Sequence, residues 1–206
     1  VHLRNLGPDG PMGEQNVFDP PADLNTTYHV MRFDVVARQG SDPSTPPEKL
    51  VLPKITPLNT TEPPLSIFIN EVDFGADEQP VNMSVTTREH PNLDWTDPIP
   101  PELFMPLNAV RQWAFVDSTN DAHPMHVHLV RFQIIGRRNI TSSVITPPLP
   151  EERGWKDVVQ TYPGQVTLIV ARFGPYTGSQ AHPFVYHCHM LSHEDNCLMG
   201  NFGVAK

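Results

Sequence analysis

The chain has 206 residues, 24 of them proline, and a formal net charge of −9. This charge, and the lack of any stretch rich in lysine and arginine, exclude nucleic acid as a partner, because binding to a phosphate backbone needs clustered cations. No apolar run approaches the roughly 20 residues that a membrane-spanning helix requires, so we expect no membrane partner either. The frequent prolines make long helices improbable.

Short segments rich in β-branched and aromatic residues alternate with turn residues along the chain, a pattern that predicts strands. The predicted strands are residues 28–37, 65–70, 110–117, 125–136, 165–172 and 184–189. This rhythm is typical of an antiparallel sandwich or barrel. Residues 38–64 are polar and proline-rich and are predicted to be a linker, which leaves 1–37 as the tail of a preceding domain and 65–206 as the main domain.

Four asparagines stand in the acceptor pattern for N-linked glycans, namely Asn25, Asn59, Asn82 and Asn139. Composition alone would produce about one or two such patterns, so their number predicts a secreted glycoprotein. The chain starts without an initiator methionine, and we therefore expect that its natural start has been removed.

Six of the ten histidines lie in two clusters, HPMHVH at 123–128 and HCHMLSH at 187–193. Side chains of a strand alternate between its two faces, so His126 and His128 are predicted to project to one side. By the same alternation His187 and His189 share a face and Cys188 points the opposite way. The second cluster is therefore arranged to contact two different metal sites at once.

One thiolate and two imidazoles form the ligand set of a blue-copper electron-transfer site, and His123, Cys188 and His193 can supply it if their strands are neighbours. The four remaining histidines of the clusters would face a second site made of imidazoles alone. One copper site could accept electrons and the other could use them for a reduction. This division of roles predicts an oxidase.

Three alternatives compete with an oxidase. Zinc also binds histidine and cysteine, but six histidines and one interleaved cysteine exceed a four-coordinate zinc site. A lone cupredoxin that carries electrons with a single blue copper would have no use for the four additional histidines. A metal-storage or structural domain does not need the alternating His-Cys-His arrangement. The isolated histidines His2, His29, His90 and His182 are predicted to be ordinary surface or core residues.

These clusters resemble the C-terminal copper motifs of multicopper oxidases, particularly the branch that contains spore-coat laccase, bilirubin oxidase and phenoxazinone synthase. The resemblance extends over HPMHVHLVRFQIIGRR at 123–138, GWKD at 154–157, RFGPY at 172–176 and HCHMLSHED at 187–195. It is specific from about residue 110 to 206, and 28–36 also resembles the closing strand of the family's middle domain. The implied fold is an all-β, cupredoxin-like Greek-key sandwich or barrel with long proline-rich loops.

The resemblance also implies roles for the clustered residues. His123, Cys188 and His193 would bind the type 1 copper, His126 the type 2 copper, and the type 3 pair would be held by His128, His187 and His189. The implied reaction is one-electron oxidation of phenolic or aromatic amine donors coupled to four-electron reduction of O2 to water. In the family the other trinuclear histidines come from an N-terminal domain, so this chain would work only together with that part of the oxidase.

Two further positions follow from the resemblance, an acidic one and an axial one. Glu194 occupies the place of an acidic residue linked to proton supply, and Asp195 is a weaker candidate for that role. Ten residues after Cys188, where the branch usually has an axial methionine, stands Leu198, which cannot coordinate copper; Met199 could replace it only through a one-residue shift. Cys197 is either a free thiol or a partner in a disulfide with another segment.

Overall fold

The computed structural model describes residues 1–7, 21–74 and 80–206, which fall into two units, Val1–Thr56 and Pro57–Lys206. In the first unit, β1 (His2–Arg4) pairs antiparallel with β2 (His29–Arg32). The assignment of 1–37 to a preceding domain stays a prediction, and its residues 8–20 lie outside the described part. The linker at 38–64 likewise stays a prediction.

The second unit contains two five-stranded sheets. The first sheet has the order β4-β3-β6-β10-β8 and consists of β3 (Leu65–Phe74), β4 (Pro80–Thr87), β6 (Val110–Asp117), β8 (Phe132–Asn139) and β10 (Gln165–Arg172). The second has the order β5-β12-β11-β7-β9 and consists of β5 (Phe104–Pro106), β7 (Pro124–Val127), β9 (Val158–Gln160), β11 (Phe184–Cys188) and β12 (Met199–Ala205). Each sheet includes one parallel pair, β3 with β6 and β5 with β12, so the sandwich is not purely antiparallel.

A cluster of buried aromatic side chains joins the two sheets. Trp113 of β6 lies with its ring centroid 5.1 Å from that of Tyr186 and 5.5 Å from that of Phe202, both in the opposite sheet. Phe115 and Phe173 complete the cluster, and all five residues are at most 1% exposed. Because each sheet contributes side chains that alternate inward, a single core holds the sandwich together. The prediction of a nearly all-β, cupredoxin-like fold is confirmed.

The predicted strand 125–136 is wrong as a single element. The chain leaves β7 after Val127, turns at Leu129 with φ of 68°, and re-enters a strand at Phe132 in the other sheet. A non-glycine residue with positive φ is uncommon, and no glycine or proline marks this turn in the sequence. The turn is important because it keeps the first histidine cluster, which spans β7 and the residue on either side of it, in the same sheet as the second cluster.

The other predicted strands differ less from the structure. The predicted strands 110–117 and 165–172 coincide with β6 and β10. The strand predicted at 65–70 continues to Phe74, and the one predicted at 184–189 ends one residue earlier, at Cys188. Of the strand predicted at 28–37, only β2 forms. Four strands of the second unit were not predicted, because β5 and β9 have three residues each, while β4 is polar and β12 contains glycine.

Helices are few and short in the described part of the chain. They comprise α1 (Leu191–Asp195) and the 3-10 helices Pro47–Lys49, Pro101–Leu103 and Pro150–Glu152, each of the latter beginning at a proline. Among the described residues no helix has the length and apolar character needed to cross a membrane. The four asparagines of the glycan acceptor patterns are all exposed, as attached glycans would require, and secretion stays a prediction.

Candidate metal centre

The two histidine clusters meet because β7 and β11 are antiparallel neighbours. His187 pairs with His126, and Cys188 pairs with Met125. Directly opposed residues of an antiparallel pair project to the same face of the sheet. His126 and His187 therefore share one face, while Cys188 points with Met125 into the core.

Cys188, His123 and His193 form the first group of potential ligands. Their Sγ and ring nitrogen atoms lie within 4.8 Å of one another, and all three residues are buried. The Nδ1 atoms of the two histidines are 3.2 Å apart, and Cys188 Sγ lies 3.9 Å from His193 Nδ1. A soft thiolate with two imidazoles in so small a space matches the ligand preference of copper.

Hydrogen bonds orient His123 within this group. Thr119 Oγ1 lies 2.8 Å from His123 Nε2 and also donates to Asp117 Oδ1 at 2.8 Å. The hydroxyl has one hydrogen, so when it donates that hydrogen to the carboxylate it accepts the Nε2 hydrogen of His123. Thr161 donates to the other oxygen of Asp117 at 2.9 Å and fixes the carboxylate in turn. His123 Nδ1 is thereby left as a lone-pair donor for a metal.

Burial sets the protonation of the first group. It lowers the pKa of His123 to about 3, with a smaller contribution from the neighbouring His193, and it lowers the pKa of His193 as well. Burial also raises the pKa of the Cys188 thiol to about 12. The imidazoles are therefore neutral and able to coordinate at neutral pH. The thiol must release its proton when a metal binds, as coordinated thiols do.

Glu71 lies beside the first group and was not predicted from the sequence. Its side chain is 2% exposed, and Oε1 lies 3.5 Å from His123 Nε2 and 3.6 Å from His193 Nδ1. Burial, together with the charges of Asp121 and Asp117, raises the pKa of Glu71 to about 7. The two-residue spacing of Glu71 from the apolar Ile67 and Ile69 could have indicated that it faces the core. The predicted strand ended at Asn70, however, and so did not include Glu71.

The second group consists of His126, His128 and His187, whose ring nitrogens lie within 4.8 Å of one another. The Nε2 atoms of His128 and His187 are 3.2 Å apart. His126 Nδ1 lies 2.7 Å from the carbonyl oxygen of Asp157, and His187 Nδ1 lies 2.9 Å from that of Cys188. A carbonyl oxygen only accepts hydrogen bonds, so both Nδ1 atoms carry hydrogen and both Nε2 atoms are free to coordinate.

His189 is at the edge of the second group. Its ring centroid is 5.6 Å from that of His126 and 5.4 Å from that of His187, and the residue is exposed. His128 is also exposed, and partial burial together with the neighbouring His126 and His187 lowers its pKa. The second group therefore differs from the first, because only His187 of its three members is buried, whereas all three members of the first group are.

The helix α1 places an acid next to the second group. Glu194 Oε2 lies 3.3 Å from His187 Nδ1, and its side chain is one-third exposed. Asp195 is exposed and belongs to no group of potential metal ligands among the described residues. His90 forms a 2.7 Å contact with Glu102, and neither it nor His2, His29 or His182 belongs to a metal-binding group in the described chain. Cys197 is a free thiol here.

The region after α1 distinguishes Leu198 from Met199. Met199 pairs with His187 across β11 and β12, so it projects to the face of the second group. Leu198 is fully buried in the same core cluster as Cys188, and its carbonyl accepts the Cys188 backbone N–H at 3.0 Å. Leucine, not methionine, therefore faces the interior beside the thiol.

A β-sandwich with a buried His-Cys-His group and an adjoining imidazole group defines a copper-binding domain of the cupredoxin type. Comparison with known proteins agrees, since the family model described as multicopper oxidase matches residues 70–206. The chain belongs to the multicopper oxidase family.

Several relatives and solved structures are similar to this chain. A laccase of Haloferax volcanii is 36% identical over 83% of the chain and 28% of its own length, and the bilirubin oxidase of Albifimbria verrucaria is 28% identical over 98% and 32%. The fold matches the McoA multicopper oxidase of Aquifex aeolicus with a TM-score of 0.56 at 24% identity, covering 74% of this chain and 32% of that one. A multi-copper oxidase of Pediococcus acidilactici matches with a TM-score of 0.60 at 18% identity, covering 88% and 34%. The chain thus spans about a third or less of these proteins.

The separation of the two groups generates a prediction for Cys188, which contributes a ligand atom only to the first. We expect Cys188→Ser to remove the intense blue absorption, since thiolate charge transfer produces that colour, and to lower copper content by the ion of the first group alone. Absorption spectroscopy and metal analysis of the copper-loaded protein measure both. A Cys188→Ser protein that remained intensely blue would show that the ligand assignment is wrong.

Proposed function

We propose that this chain provides the mononuclear copper site and half of the trinuclear copper site of a laccase-like oxidase that oxidises phenolic or aromatic amine donors and reduces O2 to water. The observation that carries the proposal is the position of Cys188. Its thiol belongs to the first group, while the residues on either side, His187 and His189, belong to or border the second. The names of the relatives, laccase and bilirubin oxidase, support aromatic donors.

Copper bound at these groups supplies one-electron transfer at the first and multi-electron reduction of dioxygen at the second. The protein positions the ligands and joins the two places. A short covalent path leads from Cys188 Sγ through the backbone to the neighbouring imidazole of His187. Within the buried first group, Thr119 and Asp117 orient His123, which limits the rearrangement of this ligand when the oxidation state changes.

The exposed second group supports a shared trinuclear site. His128 and His189 are exposed although they lie next to His126 and His187, and the chain spans only a fraction of its relatives' length. We infer that an N-terminal part of the same oxidase covers this face and contributes the remaining imidazoles. A lone electron carrier would not place three imidazoles within 4.8 Å of one another outside its blue copper site.

Glu194 is the proposed proton donor. Reduction of O2 to water consumes four protons, and Glu194 Oε2 is 3.3 Å from His187 Nδ1 while one-third of its side chain reaches solvent. A carboxyl group that contacts both solvent and the second group can be reloaded after each proton transfer.

Leu198 is the proposed axial residue of the first group. It is buried in the same core cluster as Cys188, whereas Met199 pairs with His187 and projects toward the second group. Without a thioether donor the cupric state loses more stabilisation than the cuprous state, which raises the reduction potential.

The split of the ligands predicts the behaviour of the isolated chain. We expect the copper-loaded chain to hold the blue copper but to show no sustained dioxygen consumption with a phenolic donor, and to gain activity when the N-terminal part is added. Sustained turnover by the chain alone would contradict the shared site. If the assembled protein contained one blue copper and nothing more, the function would instead be that of an electron carrier.

For Glu194, we expect Glu194→Gln to slow steady-state O2 reduction about 10²-fold at saturating donor, the lower end of a general acid's contribution. The amide keeps the shape of the side chain but cannot deliver a proton, so copper content should stay unchanged. Asp195→Asn is the matched control, because it removes an exposed neighbouring acid, and it should leave turnover near the wild-type rate. Equal turnover in both variants would remove Glu194 from the proton path.

For the axial position, we expect Leu198→Met to lower the reduction potential of the blue copper by at least about 59 mV, a tenfold change in the equilibrium of a one-electron couple. Met199→Leu should leave the potential nearly unchanged. Redox titration of the blue band measures both. The reverse pattern, with only Met199→Leu moving the potential, would identify Met199 as the axial ligand.

A further inference from the structure

Glu71 is a carboxylate in a place where the fold expects an apolar side chain. It follows Ile67 and Ile69 at two-residue spacing along β3, so the three side chains project to the same interior face. Both isoleucines are 0% exposed and the Glu71 side chain is 2% exposed. An acid in a core-facing stripe destabilises the fold unless a cation or hydrogen bonds compensate it.

The protein itself does not provide this compensation for Oε1. Within the described part of the chain, no lysine or arginine forms an ion pair with Glu71, and its Oε1 atom is buried without a hydrogen-bond partner. Two imidazole nitrogens lie close to it, His123 Nε2 at 3.5 Å and His193 Nδ1 at 3.6 Å. Asp117 and Asp121 add negative charge to the same region. The missing counter-charge is therefore positive and lies at the first group.

Copper at the first group would be that counter-charge. His193 Nδ1, which lies 3.6 Å from Glu71 Oε1, is also 3.2 Å from His123 Nδ1, so it belongs to the set of nitrogens that converge on the metal position. In a buried environment, a nearby negative charge stabilises a doubly charged ion more than a singly charged one. The charge of Glu71 would therefore stabilise Cu(II) relative to Cu(I) at the first group.

We propose that Glu71 is a positioning residue of the mononuclear copper site, whose negative charge compensates the copper ion and lowers the reduction potential of the site. This inference rests on the proposed function, because it requires copper at His123, Cys188 and His193. It assigns to Glu71 an effect opposite to that of Leu198, which removes a donor and raises the potential. The two residues together would set the driving force for oxidation of the donor.

The test compares the copper-loaded wild type with Glu71→Gln by redox titration of the blue band. The amide preserves size and removes charge, so the potential should rise by at least about 59 mV, equivalent to a tenfold fall in the Cu(II)/Cu(I) ratio at a fixed potential. Glu102→Gln is the control. Glu102 is also partly buried, but it accepts a hydrogen bond from Thr87. Thr87 lies four residues along β4 from Met83, the residue that pairs with Glu71. Glu102→Gln should therefore leave the reduction potential unchanged.

A second variant protects the test against misfolding. Glu71→Leu continues the apolar stripe of Ile67 and Ile69, so we expect the copper-free protein to unfold at a higher temperature than the wild type. Its loaded form should show the same rise in potential. A blue band with an unchanged or lowered potential in either folded variant overturns the role of Glu71. A wild-type protein that never becomes blue contradicts the proposed function instead.

Discussion

The pairing of β11 between β7 and β12 is the constraint on which the site depends. Side chains of a strand alternate with a period of two, and this period sends Cys188 into the core while His187 joins the imidazoles on the opposite face. A slip of one residue would exchange these positions and destroy both groups at once. The Trp113 cluster, which packs the two sheets against each other, helps to hold the pairing in register.

The two groups of ligands have different physical environments because they lie on different faces of the same sheet. The inner group is buried and neutral, and the bonds from Thr119 and Thr161 to Asp117 help to fix the orientation of His123. The outer group has two of its imidazoles oriented by backbone carbonyls, but it remains open on one side. A rigid site suits electron transfer, and an open one suits assembly with another part of an oxidase.

Unlike a β-sandwich with a purely apolar core, this domain has carboxyl groups in its interior. Glu71 and Asp117 are buried carboxylates near two neutral imidazoles, an arrangement that a stable fold tolerates only when the charges have a partner. Asp117 has hydroxyl donors, whereas Oε1 of Glu71 has none. The interior therefore carries part of the electrostatics of the copper site, in addition to the ligands themselves.

The sequence by itself determined the chemistry and the general fold. The spacing of His126, Cys188 and their neighbours predicted two groups of ligands, and strand periodicity predicted β6 and β10 at their observed bounds, since both signals are local in the chain. Tertiary structure decided what local patterns do not contain. The turn at Leu129, the approach of Glu71 to His193, and the inward position of Leu198 all depend on which strands become neighbours. That choice is made by packing between residues distant in sequence, so no short segment records it.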